Sequence, residues 1–172
     1  MKLYRLKIPE IATAVIEQLA NDEDIEVAPE NRPEAEQDLI AVMEEFLRRD
    51  WELREKVREQ MANGGIGYEQ YGKIRGQMAE EWKHPTGDDV ERFLARQFIE
   101  NFMISRFVDE VYTEDGVLWR KTLRLITAHD VDERGLRDEA REQIKNVSEG
   151  TVEYEMAFQR ALRSVKKRRG LI

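Results

Sequence analysis

The sequence predicts an all-α protein: two similar four-helix halves, residues 1–85 and 86–172, arising from an internal duplication and packed together as a helical bundle. Three observations carry this expectation. A nine-residue stretch, Leu53-Arg54-Glu55-Lys56-Val57-Arg58-Glu59-Gln60-Met61, returns 83 positions later (136 − 53) as Leu136-Arg137-Asp138-Glu139-Ala140-Arg141-Glu142-Gln143-Ile144. The same shift lays Ile11, Ala12, Val15, Ile16 and Leu19 on Leu94, Ala95, Phe98, Ile99 and Phe102. It also lays Ile40, Val42 and Met43 on Leu123, Leu125 and Ile126. Finally, 4 Pro and 10 Gly in 172 residues leave long stretches in which apolar side chains recur at three- and four-residue spacing, the mark of one buried helical face.

The shift fails at Phe46 onto His129 and Trp51 onto Arg134, and the second half then gains about three residues before Val152-Glu153-Tyr154-Glu155 matches Ile66-Gly67-Tyr68-Glu69. So long a period exceeds the roughly 20–50 residues of solenoid repeats and suits a copied supersecondary unit.

Taken in order, Pro9 fits the first turn of a helix, and Ile8, Ile11, Ala12, Val15, Ile16 and Leu19 supply its buried face. Asn21-Asp22-Glu23-Asp24 ends it, and Ile25-Glu26-Val27 is at most a short extended piece. A second helix is expected over 33–49, with Glu34, Glu36 and Asp38 at the positive end of its dipole. The repeated block forms a third, over 50–62, with Asp50 as N-cap and Asn63-Gly64-Gly65 as its C-terminal stop. A fourth over 68–83 places Tyr71, Ile74, Met78 and Trp82 on one stripe. Gly72 and Gly76 lie opposite, so that helix is either weak or closely packed by another backbone.

His84-Pro85-Thr86-Gly87 reads as the linker, with Thr86 and Asp89 resembling a capping box. A long fifth helix over 88–112 is apolar around more than half its circumference, which places it between the halves. After the turn Thr113-Glu114-Asp115-Gly116, a sixth helix carries Leu118, Trp119, Leu123, Leu125 and Ile126. The seventh is the second copy of the block, and the eighth, over 152–169, carries Tyr154, Ala157, Phe158, Ala161, Leu162 and Val165.

Composition narrows the function. The absence of Cys excludes disulfides, thiolate metal sites and Cys nucleophiles, and is compatible with a cytoplasmic location. No apolar run approaches the roughly 20 residues of a membrane helix, so no membrane role is expected. A net charge of −8 argues against general nucleic-acid binding. Basic charge nonetheless collects at the C-terminus, where residues 156–172 hold no acid.

No segment combines the residues a catalytic, cofactor or metal site needs. Asn63-Gly64-Gly65-Ile66-Gly67 lacks the preceding strand and following Lys-Ser/Thr of a phosphate loop. His129-Asp130-Val131-Asp132-Glu133 is short of zinc ligands and reads as a turn with Asp130 or Asp132 as N-cap. Tyr68 and Tyr154 are expected to pack a helix start onto the block. The one electrostatic feature is a candidate polyanion patch of Arg160, Arg163, Lys166, Lys167, Arg168 and Arg169. These cations either complement the negative end of the last helix or contact a polyanion.

The segment Val152-Glu153-Tyr154-Glu155-Met156-Ala157-Phe158, running into Arg163-Ser164-Val165-Lys166-Lys167-Arg168-Arg169-Gly170-Leu171-Ile172, resembles the C-terminal signature of a bacterial family catalogued as domain of unknown function 507. The first half departs from that pattern, ending Glu80-Glu81-Trp82-Lys83 where the family end is basic. The resemblance implies the helical architecture and a doubled member, and brings no catalytic or binding residues. The expectation is therefore a non-enzymatic interaction or scaffold protein, with a protein partner or a homodimer. Nucleic-acid association through the basic C-terminus is the alternative.

Overall fold

The computed structural model describes residues 1–146 and 151–172. Among these, seven α-helices and one two-stranded sheet follow in the order α1 (Ile8–Asn21), β1 (Ile25–Glu26), α2 (Arg32–Gly64), α3 (Tyr71–Glu81), α4 (Asp89–Phe102), β2 (Glu110–Val111), α5 (Asp115–Thr127), α6 (Glu133–Gln143) and α7 (Val152–Arg168). The protein is an all-α helical bundle with a minimal sheet.

The first half holds three helices rather than the expected four. The stretches 33–49 and 50–62 form the single helix α2, so Asp50 is not an N-cap. No Gly or Pro lies between Glu34 and Asn63 to interrupt the chain, and Asp50 is held by side chains instead of by free backbone N–H groups. The helix ends at the expected stop, with Gly65 in the left-handed conformation (φ 59°). Within α3, a Cβ at Gly72 or Gly76 would meet open space, so no second backbone packs there.

The expected helix over 88–112 is also shorter, ending at Phe102. The following residues turn, with the Ser105 hydroxyl donating to Asp38 (2.6 Å) and accepting from the Phe107 N–H (3.2 Å). Glu110 and Val111 then pair antiparallel with Glu26 and Ile25. Thr86 forms no side-chain cap; α4 starts from Asp88 instead. Asp132 does cap α6, accepting from the Gly135 N–H at 2.9 Å.

The largest core joins α1, the first half of α2, α4 and α5, so it draws on both predicted halves. Burial recurs at the 83-residue shift: Ile11, Ala12, Val15 and Leu19 are buried, and so are Leu94, Ala95, Phe98 and Phe102. Two smaller clusters flank this core. One joins the second half of α2 to α3 through Leu53, Val57, Met61, Ile74 and Ala79. The other joins α6 to α7 through Leu136, Ala140, Ile144, Phe158, Ala161, Leu162 and Val165, with Tyr4 added.

At the sheet, buried Asp24 accepts from Lys121 Nζ (2.7 and 2.9 Å) and Thr113 Oγ1 (2.6 Å). The connection between α1 and α2 is thereby tied to α5. No helix among the described residues is long and apolar enough to cross a membrane.

Candidate anion-binding cleft

One turn of α2 organises a polar concavity. Its buried residues Leu39, Met43, Phe46, Asp50, Leu53, Val57 and Met61 form a continuous stripe, and Asp50 is the one charged member. Arg54 and Arg58 follow Asp50 at successive i+4 steps, which places the three side chains one above another on the same flank of the helix. Arg75 of α3 faces them, and its Nη2 lies 3.2 Å from Asp50 Oδ1. Arg54 donates to the other carboxylate oxygen.

His84 completes this network from the segment expected to be a linker, and it is buried. The reason lies in the backbone after α3. Lys83 takes a positive φ of 50°, so the chain reverses and the His84 N–H reaches the Ala79 carbonyl at 2.8 Å, a Schellman-type ending. The imidazole then stacks on Phe46, with centroids 5.0 Å apart and planes 13° apart. Its Nε2 lies 3.3 Å from Asp50 Oδ1.

Burial by itself would raise the Asp50 carboxyl, but His84 and the charges of Arg54 and Arg75 overcome it and hold the group down at about 2. A carboxylate that acidic is a poor general base near neutral pH. Its role is to orient the guanidinium groups, each of which keeps further N–H donors for another acceptor.

These residues line a cleft of about 480 Å³ between α2, α3, the N-terminal segment and residues 85–87. Four cationic side chains border it (Lys2, Arg54, Arg58 and Arg75), and Asp50 is the one carboxylate among the described lining residues. Burial pushes the Lys2 ammonium below its ordinary value. Glu133 opposes that shift, while Lys166 and Arg54 add to it. Arg58 also bonds Glu55 on the solvent side.

Two aromatic rings finish the rim. Tyr68 precedes α3 in a single 3-10 turn and Tyr71 opens the helix; their centroids are 5.5 Å apart and their planes 18° apart. Tyr68 was expected to pack onto the block, but it is 82% exposed. Among the described residues no cation covers the face of either ring.

The second half reproduces part of this constellation. Arg137 and Arg141 hold the positions of Arg54 and Arg58, Asp138 pairs with Arg141 as Glu55 pairs with Arg58, and Tyr154 stacks on Phe158 at 6.4 Å. Arg137, Arg141, Tyr154 and Phe158 line a larger, more open concavity of about 660 Å³ that also contains Glu155. Here Arg141 lies over the Phe158 ring at 5.9 Å, and that aromatic face is already occupied.

The six cations of the C-terminal patch divide into two groups. Lys166 is largely covered, lying 3.7 Å from Glu133 and over the ring of Tyr4. Arg168 and Arg169 both pair with Glu139 of α6. Arg160, Arg163 and Lys167 are exposed, and among the described residues no acid pairs with them.

The sequence reading missed Asp50, His84, Arg75 and Lys2 as one unit. A signal existed: Asp50 falls three residues before Leu53 and four after Phe46, inside the apolar stripe.

No curated protein matches this chain significantly. A family model described as "Protein of unknown function (DUF507)" matches residues 1–171, so the chain belongs to that family.

Proposed function

We propose that the protein is a non-enzymatic helical interaction protein whose partner is anionic and enters the cleft between α2 and α3. The observation that carries this reading is the gathering of Lys2, Arg54, Arg58 and Arg75 in one cleft, with Asp50 the one carboxylate among its described lining residues, in a chain whose net charge is −8. Like charges concentrate on an acidic molecule where an opposite charge is to be received, and guanidinium groups fixed by a buried carboxylate suit planar, multidentate acceptors. The recurrence of buried positions and of the arginine pair supports descent of the two halves from one ancestral unit.

Calorimetric titration of the full chain with inorganic tripolyphosphate at about 50 mM salt tests the reading. Binding is expected to weaken linearly in log–log salt plots. Arg54→Gln combined with Arg58→Gln should reduce affinity by more than about tenfold, since a hydrogen bond to a charged group contributes roughly 1.5–3 kcal/mol. No binding, or equal binding by the variant, would overturn the reading.

Exposed Arg160, Arg163 and Lys167 on α7 favour a second reading, association of a polyanion with that helix. It predicts that Arg160→Gln with Arg163→Gln, and not the α2 pair, removes the binding.

A further inference from the structure

We propose that the cleft is a nucleoside-phosphate site, with the phosphate held by Arg54 and Arg58 and the base stacked on Tyr68. This deepens the anion-binding reading and rests on it. The arginines alone would accept any phosphate. The aromatic pair on the rim narrows the choice.

Tyr68 is 82% exposed, although an aromatic ring gains free energy by leaving water. Its ring partner among the described residues, Tyr71, lies near-parallel at 5.5 Å and backs it as a platform. Tyr71 also opens α3, the helix that carries Arg75, so the ring that backs the platform and a cation of the wall facing α2 belong to one helix. Both rings line the same concavity as Arg54 and Arg58. Cations placed beside an open aromatic platform are the arrangement by which proteins take single nucleotides and unpaired strands, because every base offers a π-face. The counterpart in the second half lacks the open platform, since Arg141 covers Phe158 and Glu155 adds negative charge. The inference is accordingly confined to the first cleft.

The test is calorimetry of the full chain with three probes: inorganic tripolyphosphate, adenosine 5′-triphosphate and a single-stranded RNA hexamer. The nucleotide should bind more tightly than tripolyphosphate. Tyr68→Ala, at an exposed position where the fold does not depend on the ring, should weaken the nucleotide by roughly five- to hundredfold and leave tripolyphosphate unchanged. Arg54→Gln with Arg58→Gln should weaken both, and the matched control Arg137→Gln with Arg141→Gln neither. Tighter binding of the hexamer than of the free nucleotide, lost in Tyr68→Ala, would identify the source as a nucleic-acid strand; the reverse order would identify a free nucleotide. Nucleotide binding no tighter than tripolyphosphate, or insensitive to Tyr68→Ala, would overturn this inference while leaving the anion-binding reading intact. Failure of all three probes would overturn both.

Discussion

Asp50 shows how one side chain can decide local structure and surface charge together. A carboxylate in the middle of a long helix, on its buried stripe, is costly unless it is paired. Here Arg54, Arg75 and His84 all reach it. Replacing it by Asn removes the charge that gathers them, and Asp50→Asn should cost roughly 2 kcal/mol, read from urea denaturation near neutral pH. The pH dependence has a definite sign. A carboxyl depressed from 3.8 to about 2 contributes stability that is fully present above its unfolded value and is lost as pH falls through the folded one. The midpoint of urea unfolding should therefore drop between about pH 4 and pH 2, and this part of the acid limb should flatten in Asp50→Asn. Asp50 was legible as a helix start because Asp often caps helices. What overrode that preference lies 25 and 34 residues away, at Arg75 and His84, beyond the reach of local spacing.

At the scale of elements, the buried faces were the most readable feature, because three- and four-residue spacing is imposed by the helix itself. The stripes of α1, α4 and α5 lie where their sequences put them. Helix ends were less readable where tertiary contacts set them. The fifth helix stops at Phe102 because the next residues are recruited by Asp38 and by the strand pair with residues 25–26. The two glycines of α3 yield a direct prediction. With open space at both positions and neither in the left-handed region, Gly72→Ala and Gly76→Ala should each stabilise by about 1 kcal/mol. In thermal unfolding that is a rise of roughly 2–4 °C apiece. Loss of the Asp132 cap in Asp132→Ala should cost about 1 kcal/mol by the same measurement.

At the scale of the whole molecule, the largest core is shared across the predicted boundary. Ile11, Leu19 and Met43 from the first half meet Leu94, Phe98 and Ile126 from the second. A fragment of residues 1–86 would leave this face uncovered and should show no cooperative unfolding by circular dichroism. The apolar stripes were readable because their spacing is local to each helix, whereas the cleft was not, because its four cations come from three separate stretches of chain: the N-terminal segment, α2 and α3. Charge is also a property of this scale: an acidic protein collects Lys2, Arg54, Arg58 and Arg75 in one concavity.

Nuclear magnetic resonance mapping with inorganic tripolyphosphate at low salt tests the assignment of that cleft most directly. The backbone amide resonances of Arg54, Arg58, Tyr71 and Arg75, and the guanidinium resonances of the three arginines, should shift together and saturate at one ligand concentration, and the amides of Arg160, Arg163 and Lys167 should stay in place. Shifts confined to α7, or none at the cleft at saturating ligand, would contradict the assignment.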